Sequence, residues 1–227
     1  EIARARADQQ LLFPWKPIPQ SARVLSHIGT FTRLPDTDPA PRVLLEALRA
    51  LLDDGTFSSA ACRVVFAGRD RSEIRSAVRD FGLEGIIDLP GLLSHHDALR
   101  LLFASDVLLV YDPGDEARTY IHSKLYEYLA VDKPIVGIVP DGATRRRLHE
   151  AGHTLIADPR DSDAIRAILK TALAGHLTQP NTSFDISRYE RNNLTERLAR
   201  CMDSLTERGT AEARYDKAVR VEKDKPG

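Results

Sequence analysis

Residues Tyr120–Pro140 read YIHSKLYEYLAVDKPIVGIVP, and they predict a helix, a tight break and a buried strand in immediate succession. Ser123 has the residue type of an N-cap, and Leu125 and Leu129 recur at i, i+4 on one face. Lys124 and Glu127, three apart, share a different face, so an ammonium and a carboxylate project together near the helix start. Asp132-Lys133-Pro134 ends the helix, because proline cannot continue it and biases the residue before it toward extended backbone. Pro134–Val139 then supplies the β-branched run of a strand buried in a parallel sheet. A helix start attracts anions through its free N–H groups and dipole. With a basic and an acidic side chain beside it, the arrangement suits a phosphorylated, hydroxyl-bearing ligand.

The same alternation extends on both sides. Strands are expected at Val24–Ile28, Arg63–Ala67, Ile86–Leu89, Asp106–Tyr111 and Thr154–Ala157. Between them fall helices carrying Leu44, Leu48, Leu51 and Leu52, then Ile74–Phe81, then Ala98–Ala104 behind a Ser94/Asp97 capping box. Arg145-Arg146-Arg147 opens another helix, and Ile165, Ile168, Leu169 and Leu173 mark the next. Six short apolar strands alternating with helices are the pattern of βαβ units. The expected fold is α/β, a Rossmann-like doubly wound parallel sheet with right-handed crossovers over residues 22–177.

Residues 1–21, with Pro14, Pro17 and Pro19 around Trp15, read as an extended lead-in. Residues 178–209 hold a turn-rich link and one long helix over Ile186–Arg208. Its Leu194, Leu198, Met202 and Leu205 are expected to form a buried stripe. Residues 210–227 are charge-rich without apolar pattern and are expected to be disordered. The only methionine is Met202, so residue 1 is not an encoded start, and a piece of a longer or processed protein is expected.

At 227 residues the chain holds one sizeable α/β domain. Its net charge of −1 gives no electrostatic case for nucleic acid as the main partner. No apolar run approaches the roughly 20 residues that span a bilayer, and no signal-peptide pattern opens the chain, so a cytoplasmic setting, or a peripheral one at the inner membrane face, is expected. Cys62 and Cys201 are the only cysteines, and Cys62, opening a strand, is expected to be a reduced structural thiol. No Cys/His spacing suits a metal, and there is no P-loop, dinucleotide glycine motif or Ser-His-Asp order.

The string HSKLYEYLAVDKPIVGIVP resembles the donor-site signature of the retaining GT-B glycosyltransferases, whose segment K-x-x-E-Y-x-A-x-x-K-P-[IV] is matched at Lys124, Glu127, Tyr128, Ala130, Lys133, Pro134 and Ile135. The resemblance covers roughly Val24–Arg208 and only the nucleotide-binding half of such enzymes. It implies that Glu127 binds ribose hydroxyls of a nucleoside-diphosphate sugar, the donor substrate, with no resident cofactor or metal. It further implies a separate acceptor-binding domain as partner, and a terminal helix that crosses back to it. Many members place a second glutamate eight residues before the first, against the donor sugar. Here that position is Thr119, with Asp115 and Glu116 nearby.

In a doubly wound sheet, ligands lie beyond the carboxyl ends of the strands, which selects the loops there. Gly29-Thr30 follows the first strand, where a glycine lets a phosphate or sugar approach the backbone or simply makes a turn. Arg33 either forks onto a diphosphate or stands solvated. Gly68-Arg69 follows the second strand, with Arg69 a diphosphate ligand or a surface charge. Leu92, after the third strand, is expected beside the nucleotide base. Lys124 and the Ser123 N–H are expected to meet phosphate oxygens, and the resemblance implies that Lys124, with Arg33 or Arg69, stabilises the leaving diphosphate. His122 reads as a residue leading into the helix, and His95 and His96 as first-turn helix residues with no Cys, Asp or His at metal-ligand spacing. The arginine run reads as a solvated face, or as a contact for anionic lipid or an acidic domain. Three functions compete: the donor-binding domain of a glycosyltransferase, a nucleotide-sugar epimerase of the same fold, and a non-catalytic nucleotide-binding or scaffolding module.

Overall fold

The computed structural model describes residues 22–31, 41–69, 72–175, 177 and 184–206. The lead-in, Arg33 and the charged tail lie outside them. The chain divides into two compact units between Phe184 and Asp185.

The first unit alternates strands and helices in the expected order: β1 (Arg23–Ile28), α1 (Arg42–Asp53), β2 (Cys62–Ala67), α2 (Ser72–Asp80), β3 (Ile87–Gly91), α3 (His95–Ala104), β4 (Val107–Tyr111), α4 (Lys124–Val131), β5 (Ile135–Ile138), α5 (Ala143–Glu150), β6 (Ile156–Ala157) and α6 (Ser162–Ala174). All strand pairs are parallel, in the order β3-β2-β1-β4-β5-β6. The chain therefore winds outward from β1 in one direction, then restarts at β4 and winds in the other. The strand order reverses between β1 and β4, the crevice where such sheets take ligands.

Two cores cover the sheet's faces, as a parallel sheet requires. Leu25, Val64, Leu109 and Val136 face Leu44, Leu48 and Leu51 of α1, Ile74 and Val78 of α2, and Ile165 and Leu169 of α6. Val24, Val65, Leu108 and Ile135 face Leu99 and Leu102 of α3, Leu125, Tyr128 and Val131 of α4, and Leu148 of α5. Each fully buried leucine contributes about 2 kcal/mol by leaving water, which is why the apolar spacing read from sequence places these elements. Cys62 is free and buried, and burial pushes its thiol up to about 12, so it stays protonated.

Two details of the first unit differ from expectation. Strand β3 runs on through Pro90 to Gly91, because it is an edge strand and its ladder continues through the Gly91 carbonyl, which accepts from Gly68 N at 2.9 Å. Ser123 stands at the N-cap of α4 in helical conformation, and its side chain makes no capping hydrogen bond. The start of α4 is held instead by long-range contacts described below. Ser94 does cap α3, accepting from Asp97 N at 3.1 Å.

The second unit opens with a 3-10 turn (Ile186–Tyr189), in which Asp185 Oδ1 accepts from Ser187 N at 3.0 Å, and α7 follows over residues 191–206. The expected single helix is thus broken at Glu190, which is extended (φ −64°, ψ 141°). Leu194, Leu198, Met202 and Leu205 are exposed, not buried, because among the described residues of its unit this helix has no second apolar face to pack on. Among the described residues no helix is long and apolar enough to cross a membrane.

Candidate functional site

A cavity of about 550 Å³ opens at the carboxyl end of the sheet, where β1 and β4 part. Its floor comes from strand ends and its wall from the start of α4. Of the residues selected from sequence, Gly29, Thr30, Gly68, Leu92, Ser123 and Lys124 line it. Leu92 stands at the rim, 72% exposed.

The two glycines have different physical reasons. A Cβ on Gly68 would stand 2.0 Å from the Gly29 carbonyl oxygen, so glycine there is imposed by the close passage of the two strand ends. A Cβ on Gly29 would meet His27 Nε2 at 3.1 Å, so glycine there keeps the approach to that nitrogen open.

The start of α4 is fixed by tertiary contacts. Tyr128, 2% exposed, reaches across to β1, and its hydroxyl accepts from Ile28 N at 2.6 Å. On the same side of β1 the register with β4 covers Leu25 and Ser26. Tyr128 therefore takes up the amide where the two strands diverge, and one wall of the crevice is tied to its floor. Before α4, Thr144 Oγ1 donates to Tyr120 O at 3.2 Å. Gly142 passes so close to Arg118 that a Cβ would lie 2.3 Å from its Cα.

Lys124 Nζ donates to both Glu127 oxygens, at 3.0 and 2.8 Å. The pair is half-buried, and Glu127 sits one turn along the helix from the cavity-lining Lys124. An exposed pair of this kind is worth about 0–1 kcal/mol, so a ligand can separate it at little cost.

Sequence reading passed over three further residues. His122 lines the cavity, with Nε2 2.6 Å from Oδ2 of Asp112, a buried carboxylate just past β4. Its hydrogen bond to Asp112 raises the His122 pKa above the usual histidine value, against partial burial. His122 and Lys124 thus both line the cavity at the N-terminal end of α4. His27, at the penultimate position of β1, is buried, and burial lowers its pKa to about 4, so it is neutral at physiological pH. His95 also lines the cavity, from the first turn of α3. The signal available for His122 was Asp112 itself, a carboxylate at the end of a strand beside the order reversal.

Other expected residues fall elsewhere. Arg69 is exposed, does not line the cavity, and has its backbone N–H 3.4 Å from Thr30 Oγ1. Thr119 is exposed and is likewise not part of the lining. Asp115 is engaged by Arg118 at 3.1 Å and Arg160 at 2.9 Å, which hold its carboxyl below the usual range. Within the arginine run, Arg145 donates to Val139 O at 2.8 Å and Arg147 pairs with Glu150 at 2.7 Å, leaving Arg146 as the exposed member. Two of the three cations thus serve the fold itself. Among the described residues no group of three or more His, Cys, Asp or Glu is arranged to hold a metal ion.

Similarity to solved structures identifies the architecture. An α,α-trehalose 6-phosphate synthase from Burkholderia multivorans superposes with a TM-score of 0.57 at 15% identity, over 100% of this chain and 50% of that one. This chain has the fold of a GT-B half-domain. The half-domain also matches WaaG, a glycosyltransferase involved in lipopolysaccharide biosynthesis (TM-score 0.54, 18% identity, 76% of this chain, 41% of that one). A Listeria monocytogenes protein assigned as a UDP-N-acetylglucosamine 2-epimerase matches at a TM-score of 0.50 and 14% identity, over 80% and 47% of the two chains. The half-domain spans half or less of the length of these proteins. No protein-family model and no curated protein matches its sequence.

Proposed function

We propose that this chain binds a nucleoside-diphosphate sugar in the β1/β4 cavity and serves as the donor half of a glycosyltransferase. The observation that carries this reading is the convergence of α4's N-terminus, Lys124 and the Asp112–His122 pair on one cavity at the strand-order reversal. The dipole of a helix start, an ammonium and an imidazole whose carboxylate partner favours its protonated form are groups that attract a diphosphate and stabilise charge developing on it as it leaves. In the bound state Lys124 turns from Glu127 to the phosphates, and Glu127 is released to accept hydroxyls of the ribose. No resident cofactor has a role in this scheme, in which the nucleotide sugar is substrate. The acceptor hydroxyl comes from a second half-domain.

The epimerase reading gains one specific support. A carboxylate–imidazole pair in the cavity is the kind of acid–base group such chemistry needs. The readings separate when nucleotide sugar is incubated without acceptor: an epimerase changes the sugar's configuration, and a transferase does not.

Calorimetric titration of the chain with UDP, GDP, ADP and their glucose or mannose conjugates tests the donor site. Tight binding of one nucleoside diphosphate, weakened at least tenfold by Glu127→Ala, is expected. Undiminished binding by that variant overturns the role given to Glu127, and no binding of any of them overturns the donor-site reading.

A further inference from the structure

Among the described residues, the cavity lining holds one buried side-chain polar atom without a hydrogen-bond partner. His27 is 8% exposed, stacked on Phe31 at 4.5 Å between ring centroids and edge-on to Phe66 at 6.5 Å. An aromatic hydrocarbon at this position would pack as well. The ring is instead an imidazole, with its two nitrogens in different situations. Nδ1 lies 3.1 Å from Leu109 O. A carbonyl only accepts, so Nδ1 carries the proton and the neutral ring presents a lone pair at Nε2. Nε2 is buried and has no hydrogen-bond partner among the described residues.

Buried polar atoms in folded proteins are paired almost without exception. His27 lines the cavity together with Gly29 and His122, and Gly29 is the residue whose missing side chain leaves Nε2 approachable. We propose that His27 is a binding residue of this site, its Nε2 accepting a hydrogen bond from a hydroxyl of the bound nucleotide sugar. The proposal rests on the donor-site reading above and adds the group that recognises the neutral part of the ligand.

The chemistry divides between the two histidines. A lone pair on a neutral ring repels a phosphate oxygen and selects a hydroxyl, whereas the His122 imidazole, paired with Asp112, and Lys124 attract the anion. Sites that hydrogen-bond a substrate hydroxyl discriminate strongly against analogues that lack it, because the buried partner is then left unpaired. His27 is thus a specificity residue of the cavity.

Two isosteric substitutions separate the ring nitrogens. In His27→Asn the side-chain amide keeps a donor near the Nδ1 position, for Leu109 O, and removes the group at Nε2. In His27→Gln a polar atom is kept near the Nε2 position and the Nδ1 contact is given up. Titration calorimetry with UDP-glucose, GDP-mannose, ADP-glucose and the three free diphosphates is expected to show at least tenfold weaker binding for His27→Asn and less than threefold for His27→Gln. Gly29→Ala, which puts a methyl against Nε2 without altering the ring, is expected to weaken binding similarly to His27→Asn. Loss with the free diphosphate as well assigns the hydroxyl to the ribose, and loss with the conjugate alone assigns it to the transferred sugar. Wild-type affinity in His27→Asn overturns the proposal, as does a larger loss in His27→Gln, which would make the Leu109 contact the important one. If the wild-type chain binds none of the six, the donor-site reading itself fails, a different result from either of these.

Discussion

Replacing Tyr128 with phenylalanine removes one oxygen from the junction between the sheet and α4. That oxygen accepts from Ile28 N at 2.6 Å, and both residues are buried. The register of β1 with β4 covers Leu25 and Ser26, so in the variant the Ile28 amide loses its partner where the strands have already parted. An orphaned buried N–H costs about 1–3 kcal/mol. Phenylalanine fills nearly the same volume, so no cavity cost adds to it. For a domain of this size each kcal/mol lowers Tm by roughly 2–4 °C, so the midpoint of that range gives a fall of about 4–8 °C. Urea unfolding should show a lower midpoint with unchanged slope, since the surface exposed on unfolding is the same. A variant within about 0.5 kcal/mol of wild type refutes the claim that Tyr128 closes the β1 ladder.

The remaining predictions concern the glycines and the titrating groups. Gly68→Ala drives a methyl into the Gly29 carbonyl and should cost about 3 kcal/mol or more, while Gly85→Ala, with nothing within 4 Å, should stay within about 1 kcal/mol; equal urea midpoints for the two contradict this. His27 and His153 are buried neutral, with pKa values lowered by burial to about 4. The unfolded chain therefore binds more protons between pH 6.5 and 4, so stability is full above 6.5 and falls with pH across that window. The loss is roughly 3 kcal/mol per histidine, and an unfolding free energy that stays flat from pH 7 to 4.5 contradicts it. His122 acts in the opposite sense: its raised pKa gives stability that is present below 6.5 and lost as pH rises through the folded-state value. In Asp112→Asn the histidine resonance of His122 should titrate at lower pH than in wild type, and an unchanged titration means the pair does not form in solution.

The strands and helices were legible because burial imposes its period on the sequence. Leu44, Leu48 and Leu51 recur at helical spacing because α1 presents one face to the sheet, and the apolar run of β4 reflects a strand covered on both faces. Strand ends were less legible, as at Pro90, because an edge strand tolerates proline through its outward side. The site was legible where it coincides with a contiguous motif: Ser123 and Lys124 lie against the cavity, and Lys124 meets Glu127 as their spacing requires. The rest depends on residues that only the fold brings together. His122 and Asp112 flank a 3-10 turn (Asp115–Arg118) with no periodicity to mark the pairing. His27 looks like any strand residue until its second nitrogen is found without a partner among the described residues. Ser123 carries the residue type of a cap, but contacts from Thr144 and Tyr128 already hold that end of α4. The apolar spacing of α7 shows an amphipathic helix and says nothing of what covers it.

The central claim, that the β1/β4 cavity binds a nucleotide sugar, is tested most directly by amide chemical-shift mapping of this chain titrated with UDP-glucose, GDP-mannose and ADP-glucose. With one of the three, saturating shifts are predicted to concentrate at Gly29, Thr30, Gly68, Leu92, Ser123 and Lys124. Shifts confined to the separate surface depression around Arg75, Arg79 and Glu84, or no saturable shift with any donor, would contradict it.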